Sequence, residues 1–365
     1  MRKLLNTLYI MTPETYLALE NNNVIVLMDE NVMGKFPLHT LEQIIYFGYK
    51  GASPALMGEC AKRNIGLCFY RQSGRFLARV VGTTQGNVLL RKKQYRCSDD
   101  EEQSCQIARY FIVGKIFNAR SVLERAKRDH PLSVDVQTIK EISASLLHLA
   151  NAARTCCDLD SLRGYEGEAA SLYFSVFDRL ILQNKEIFSF EQRIKRPPKD
   201  PVNTLLSFCY TILANDCASA LESTGLDAYV GFLHRDRPGR ASLALDLMEE
   251  LRSIYADRFV LTLINNRKIN ASAFERQANG AVLLNDKGRK IFLTDWQNRK
   301  KELIRHPFLE EKIPWGLVPF VQAQLLARVL RGDLDVYPAF WECKIVCVNR
   351  YCMNLLYAPY WGKQR

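Results

Sequence analysis

Several signatures of common enzyme classes are missing from this chain. It has no GxxxxGK[ST] loop to cradle nucleotide phosphates, no GxSxG nucleophile turn and no HExxH helix. P-loop hydrolysis, serine-esterase chemistry and zincin proteolysis are therefore excluded on motif grounds. There is no CxxC pair, and the 11 cysteines are odd in number and scattered, with Cys68, Cys209 and Cys217 inside apolar runs. That usage reads as free thiols in a reducing cytoplasm, hence a cytoplasmic location. The one cysteine cluster, Cys343, Cys347 and Cys352, lacks a fourth zinc ligand. No stretch approaches the roughly 18 consecutive apolar residues of a membrane span, so no membrane partner is expected. The start, Met1-Arg2-Lys3 followed by Leu4-Leu5, is too short in its apolar part for a signal peptide. Only five histidines occur, and His39, His130, His148 and His306 have no carboxylate at helical ligand spacing.

Basic charge is plentiful. The chain has 365 residues, 48% of them apolar, enough for a sizeable core and two domains. Its 50 Lys+Arg against 39 Asp+Glu leave a net charge of +11. An excess of that size favours a polyanionic partner, nucleic acid before anionic membrane. Charge alone fits an ordinary basic protein equally well.

The fold class expected is α+β, an N-terminal β-rich domain (1–95) followed by a larger all-α catalytic domain (105–340). Alternation through Leu4, Asn6, Leu8 and Ile10 suggests a first strand. Val24–Met28, Ile44–Phe47, Ile65–Tyr70 and Phe76–Val81 read as further strands, with a turn at Gln72-Ser73-Gly74. Ser53-Pro54 is an N-cap followed by a favoured first helical residue, so a short helix should run to about Arg63. The polar stretch 96–104 reads as a linker or a charged helix start. Beyond it Ile107, Tyr110, Phe111, Val113, Ile116 and Phe117 recur at helical steps, as do apolar residues over 138–154, 165–182, 202–222, 241–264, 289–304 and 317–331. One short hairpin is expected at 282–288. Residues 341–365 follow neither pattern and read as a docking tail or a frayed extension.

Three separated segments carry oxygen or imidazole donors of the kind a hard divalent cation accepts. In Gly164-Tyr165-Glu166-Gly167, the glutamate reads as part of a loop entering a helix. Its plain use is to stabilise the helix dipole. In Gly231-Phe232-Leu233-His234-Arg235, the histidine borders a cationic loop, as phosphate contact, metal ligand or incidental surface residue. In Leu245-Asp246-Leu247-Met248-Glu249-Glu250, Asp246 and Glu249 share a helix face. Two carboxylates there repel unless a cation lies near; the plain alternative is a solvated acidic face balanced by Arg240 and Arg252. Arg163, Arg235, Arg237, Arg240 and Arg252 edge these segments and are candidate DNA-phosphate contacts. Nothing in the sequence itself brings the three segments together.

The ordered set Gly48–Met57, Gly164–Gly167, Asp200–Ser207, Gly231–Arg240 and Leu243–Arg252 resembles the CRISPR-associated spacer-acquisition endonuclease/integrase family ("Cas-one"), in its subtype I-C branch. The resemblance covers residues 1 to about 340. It implies a Mg2+ or Mn2+ site at Glu166, His234 and Glu249, with Asp246 in a supporting catalytic role; many family members carry aspartate where Glu249 stands. It also implies a homodimer, and a heterohexamer with a small ferredoxin-like CRISPR partner ("Cas-two") on double-stranded DNA, both protospacer and CRISPR repeat. The implied activity is joining of 3′ hydroxyl ends to the repeat by transesterification. Two rivals use the same residues differently: a stand-alone structure-selective DNA nuclease, and a non-catalytic DNA-binding scaffold.

Overall fold

The computed structural model describes residues 6–71, 76–83, 88–194 and 196–341. The expected turn at 72–74 and the tail from 342 onward lie outside the described residues.

The N-terminal part holds β1 (Thr7–Ile10), β2 (Thr15–Glu20), β3 (Asn23–Met28), β4 (Asn31–Pro37), β5 (Gln43–Tyr46), α1 (Pro54–Lys62), β6 (Gly66–Tyr70) and β7 (Phe76–Val80). β2, β3 and β4 form an antiparallel meander. A second sheet has the order β1-β5-β6-β7, parallel except for its last pair. Its period-2 alternation separates two cores. Ile44, Tyr46 and Leu67 pack with Leu17, Val24 and Leu56 inside the N-terminal part. Ile45, Phe47, Cys68 and Tyr70 face the helices. Ser53 caps α1 by accepting from the Leu56 amide at 3.2 Å.

The helical part comprises α2 (Val88–Asp99), α3 (Glu101–Asp129), α4 (Val136–Thr155), α5 (Leu159–Ser175), α6 (Pro201–Ser223), α7 (Ser242–Glu249), α8 (Arg258–Asn265), α9 (Asp286–Lys301) and α10 (Val318–Arg331). Two short hairpins interrupt it, β8 (Phe274–Arg276) with β9 (Val282–Leu284) and β10 (Leu303–Arg305) with β11 (Lys312–Pro314). It is therefore mainly, not wholly, helical. The first hairpin lies over 274–284, largely upstream of the expected 282–288, because Asn285 instead caps α9 by accepting from the Gly288 amide.

The stretch 96–104, read as a linker or a charged helix start, is helical on both sides of Asp100. The Asp100 carboxylate accepts from the Gln103 amide at 3.0 Å and so ends α2 and starts α3. Its charges belong to helix ends and not to a flexible joint. α6 runs through the middle of the core, with Phe208 against Phe47 of the sheet and Phe292 of α9. By length and composition α6 alone among the described helices suits a membrane span, yet 72% of its most apolar window is buried inside this fold.

Candidate active site

Glu166 lies within α5, not in a loop before it. Gly164 and Gly167 flank it on an exposed stretch, where an added Cβ would meet nothing within 4 Å. Glycine inside a helix costs about 1 kcal/mol relative to alanine. The helix nonetheless forms because Asp158 caps it, accepting from the Ser161 amide at 2.7 Å, and because Leu162, Ala169 and Tyr173 are buried. Glu166 is about a quarter exposed.

Glu249 ends α7 and is 4% exposed. The alternative of a solvated acidic face does not hold, since Asp246 and Glu250 are fully buried as well. Arg252 donates to both Glu249 oxygens, at 2.8 and 3.0 Å, and its guanidinium stacks 4.4 Å from the Tyr210 ring centroid. Lys115, from the middle of α3, places its Nζ 2.6 Å from Glu249 Oε2 and also bonds Glu166 Oε1. Burial alone would push the Glu249 carboxyl up. Arg252, then Lys115 and His234, outweigh burial and hold it far below the usual carboxylate range.

His234 sits on an irregular loop. Asp246 makes that loop's shape. Its Oδ2 accepts from the Phe232 and Leu233 amides at 2.6 and 2.9 Å, and its Oδ1 from the His234 amide at 3.1 Å. The same Oδ1 lies 2.5 Å from His234 Nδ1. A carboxylate there fixes the proton on Nδ1 and turns Nε2 outward as the free donor atom. The fit requires Gly231, because a Cβ there would lie 2.9 Å from Asp246 Oδ2. Further support comes from α2: Gln94 donates to the Asp227 and Val230 carbonyls at 2.8 Å each, and Ser98 to the Gly231 carbonyl at 2.7 Å.

Behind this face, Glu250 points the other way. It accepts from the Tyr337 hydroxyl at 2.6 Å, the Phe340 amide at 2.7 Å and Gln322 Nε2 at 3.1 Å. Asn118 of α3 clasps the Glu250 and Phe340 carbonyls at 2.7 Å each. A π-helical segment, Arg252–Asp257, then connects α7 to α8 and turns Arg252 back toward Glu249. Such widened turns concentrate at functional sites.

The arginines divide. Arg163 donates twice to the Leu233 carbonyl at 3.1 and 2.8 Å and once to the exposed Asp160 at 2.6 Å. Arg252 is committed to Glu249. Arg235 and Arg237 are exposed, and Arg240 is partly so; Arg235 reaches Asp160 at 3.2 Å on the surface.

Glu166 and Glu249 thus meet at one ammonium, and His234 stands close enough to influence Glu249 electrostatically. Among the described residues no three His, Cys, Asp or Glu side chains converge as a ready-made metal cage. The donor set of two carboxylates and one imidazole nevertheless suits Mg2+ or Mn2+, and the place between the carboxylates already attracts a cation. Lys115 escaped the sequence reading; its one signal was a lone lysine in the apolar run Phe111-Ile112-Val113-Gly114-Lys115-Ile116-Phe117.

An α+β chain with two carboxylates and an oriented imidazole beside exposed arginines has the residues of a phosphodiester-processing protein. The family model "CRISPR associated protein Cas1" matches residues 8–298. A CRISPR-associated endonuclease Cas1 of Rhodospirillum rubrum is 51% identical over 347 residues, 94% of this chain and 100% of the relative. Another from Chlorobaculum tepidum is 47% identical over 340 residues, 93% and 99% of the two chains. This chain belongs to the Cas1 family. Among solved structures, a CAS1 protein from Thermotoga maritima superposes with a TM-score of 0.79 at 23% identity, covering 91% of this chain and 99% of that one. A casposase bound to integration product gives 0.79 at 22%, covering 97% and 98%. A Cas6-RT-Cas1–Cas2 complex chain gives 0.76 at 22%, covering 93% of this chain and 36% of that one. At such identities the structural likeness speaks for the fold.

Proposed function

We propose that this chain is a metal-dependent DNA endonuclease/integrase of CRISPR adaptation, of the subtype I-C branch. It joins the 3′ hydroxyl ends of a short double-stranded DNA to the CRISPR repeat by transesterification. The observation that carries this reading is the meeting of Glu166 and Glu249 at one ammonium, with His234 close enough to act on Glu249 electrostatically. Mg2+ or Mn2+ bound there would polarise the scissile phosphate and stabilise the charge on the attacking or leaving oxygen. Glu166, Glu249 and His234 Nε2 would hold it. Asp246 keeps the His234 ring in the tautomer that leaves Nε2 free. Arg252 keeps Glu249 ionised, and burial of Glu249 excludes competing water. Arg235 and Arg237, with Arg240, would position the DNA backbone without reading bases. One phosphodiester replaces another, so no nucleotide cofactor is needed.

The working form would be a homodimer, two of which assemble with a small ferredoxin-like partner into a heterohexamer in the cytoplasm. The relatives' names and the complexes containing Cas2 among the structural neighbours support this reading of partners. The test is incubation of the purified chain, with and without the small partner, with a 3′-overhang DNA and a plasmid carrying a CRISPR repeat, in Mn2+ or EDTA. Covalent joining that needs metal, partner and His234, and is lost in His234→Ala, is expected. Partner-independent cleavage without joining would favour a stand-alone nuclease. DNA binding without any chemistry would favour a scaffold.

A further inference from the structure

The lysine between the two carboxylates has no place in that mechanism. Lys115 is 8% exposed and comes from a helix whose neighbouring residues are almost all apolar and buried. Burying an ammonium is costly unless it is paired. Here it pairs twice, with Glu166 and with Glu249 Oε2 at 2.6 Å. Counting Arg252 on Glu249, two positive and two negative side chains form a closed, neutral group. In that state both Glu249 oxygens and Glu166 Oε1 are already occupied.

We propose that Lys115 is a resident counter-ion of the metal-free site, and that divalent-metal entry and withdrawal of the Lys115 ammonium are one event. This rests on the metal reading given above. The room for withdrawal exists: a cavity of about 450 Å³ opens beside Lys115 and Glu166. Ser171, Glu191 and Asp257 line it and offer oxygens to a displaced ammonium. Lys115 thereby prevents two facing carboxylates from repelling one another before substrate arrives, and it competes with the metal afterwards. The exchange swaps one positive charge for two, so a further negative charge such as a DNA phosphate strengthens metal binding.

Two measurements on the full chain test this. The first is brief acylation of wild-type protein by an N-hydroxysuccinimide ester, read at Lys115 by peptide mass spectrometry. Labelling should rise by about tenfold on adding Mn2+, as the buried pair opens. The second is Mn2+ binding by electron paramagnetic resonance for wild type, Lys115→Met and Glu249→Gln. Lys115→Met should bind Mn2+ about tenfold more tightly than wild type, since a like charge has gone, and Glu249→Gln should bind poorly. If Mn2+ binds but Lys115 labelling is unchanged, or if Lys115→Met binds no tighter, the counter-ion role is wrong and the metal site stands. If wild type binds Mn2+ no better than Glu249→Gln does, the metal reading fails and the counter-ion role fails with it. Because the labelling uses unmodified protein, misfolding of Lys115→Met would leave a decisive result.

Discussion

Glu249 and Glu250 are chain neighbours and both are withdrawn from water, yet they occupy opposite surroundings. The Glu249 side of α7 is built from two cations, Arg252 and Lys115, with the His234 ring nearby. The Glu250 side is built from neutral donors: a phenol, an amide side chain and a backbone N–H. Burial raises the Glu250 carboxyl from 4.5 to about 7, and its hydrogen bonds only partly offset this. Glu249, equally buried, stays ionised. Burial therefore sets no role by itself; the charge of the partners decides which carboxylate is kept anionic for a reaction and which holds structure. On this account the first belongs to the chemistry, and the second docks the segment Tyr337–Trp341 behind it.

The comparison breaks most visibly through the residue that shapes the reactive side. Asp246→Asn removes the charge that orients His234 while keeping nearly the same volume. Strand joining should fall by about 10- to 100-fold, the usual effect of losing an outer-shell carboxylate, with the protein still folded by circular dichroism. Unchanged joining would mean that the His234 ring needs no such support.

On the structural side, Glu250→Gln places an amide NH2 against a set of donors. Stability should fall by about 1–3 kcal/mol, measured by urea unfolding, while joining per folded molecule stays within about threefold of wild type. A variant that is stable but inactive would reverse the roles assigned to the two glutamates.

A smaller effect concerns pH. His306 is fully buried; its Nδ1 accepts from the Leu309 amide at 3.2 Å, so Nε2 carries the proton toward Gln322 Oε1 at 3.0 Å. Burial lowers it from 6.5 to about 4. A base depressed in the folded state contributes stability above its unfolded value, and that contribution is lost as pH falls from about 6.5 toward 4. The raised Glu250 acts in the opposite sense, weakening the fold as pH rises from 4.5 through about 7. The difference between wild type and His306→Gln isolates the histidine. Wild type should lose more stability than the variant between pH 7.5 and 5; equal losses would contradict the buried neutral ring.

How much of this was legible in the sequence follows from which forces act locally. β3, β5, β6 and β7 announce themselves through runs such as Val24-Ile25-Val26-Leu27-Met28, and α1 through Ser53-Pro54, because local propensity and burial agree there. β2 and the largely exposed β4 carry no such run. The glycines beside Glu166 suggested a loop entering a helix, and the charges of 96–104 a linker or a helix start; capping by Asp158 and Asp100 decided for helices. Asp246, Glu249 and His234 were recognisable through the family resemblance, and their convergence needed the fold. Lys115 and the Tyr337–Gln322–Glu250 group join residues from distant parts of the chain, which no spacing rule reports. Arg163, a candidate DNA contact, donates in this fold to the Leu233 carbonyl, a pairing no spacing rule reports, and to the exposed Asp160.

The most direct test is the Mn2+-dependent strand-joining rate of Glu249→Gln on the 3′-overhang substrate, with the small partner present. The account predicts a loss of at least about a hundredfold, as expected for removing a ligand from the reacting ion, with the fold and DNA binding retained. Joining at the wild-type rate would contradict the assignment of Glu249 to the chemistry.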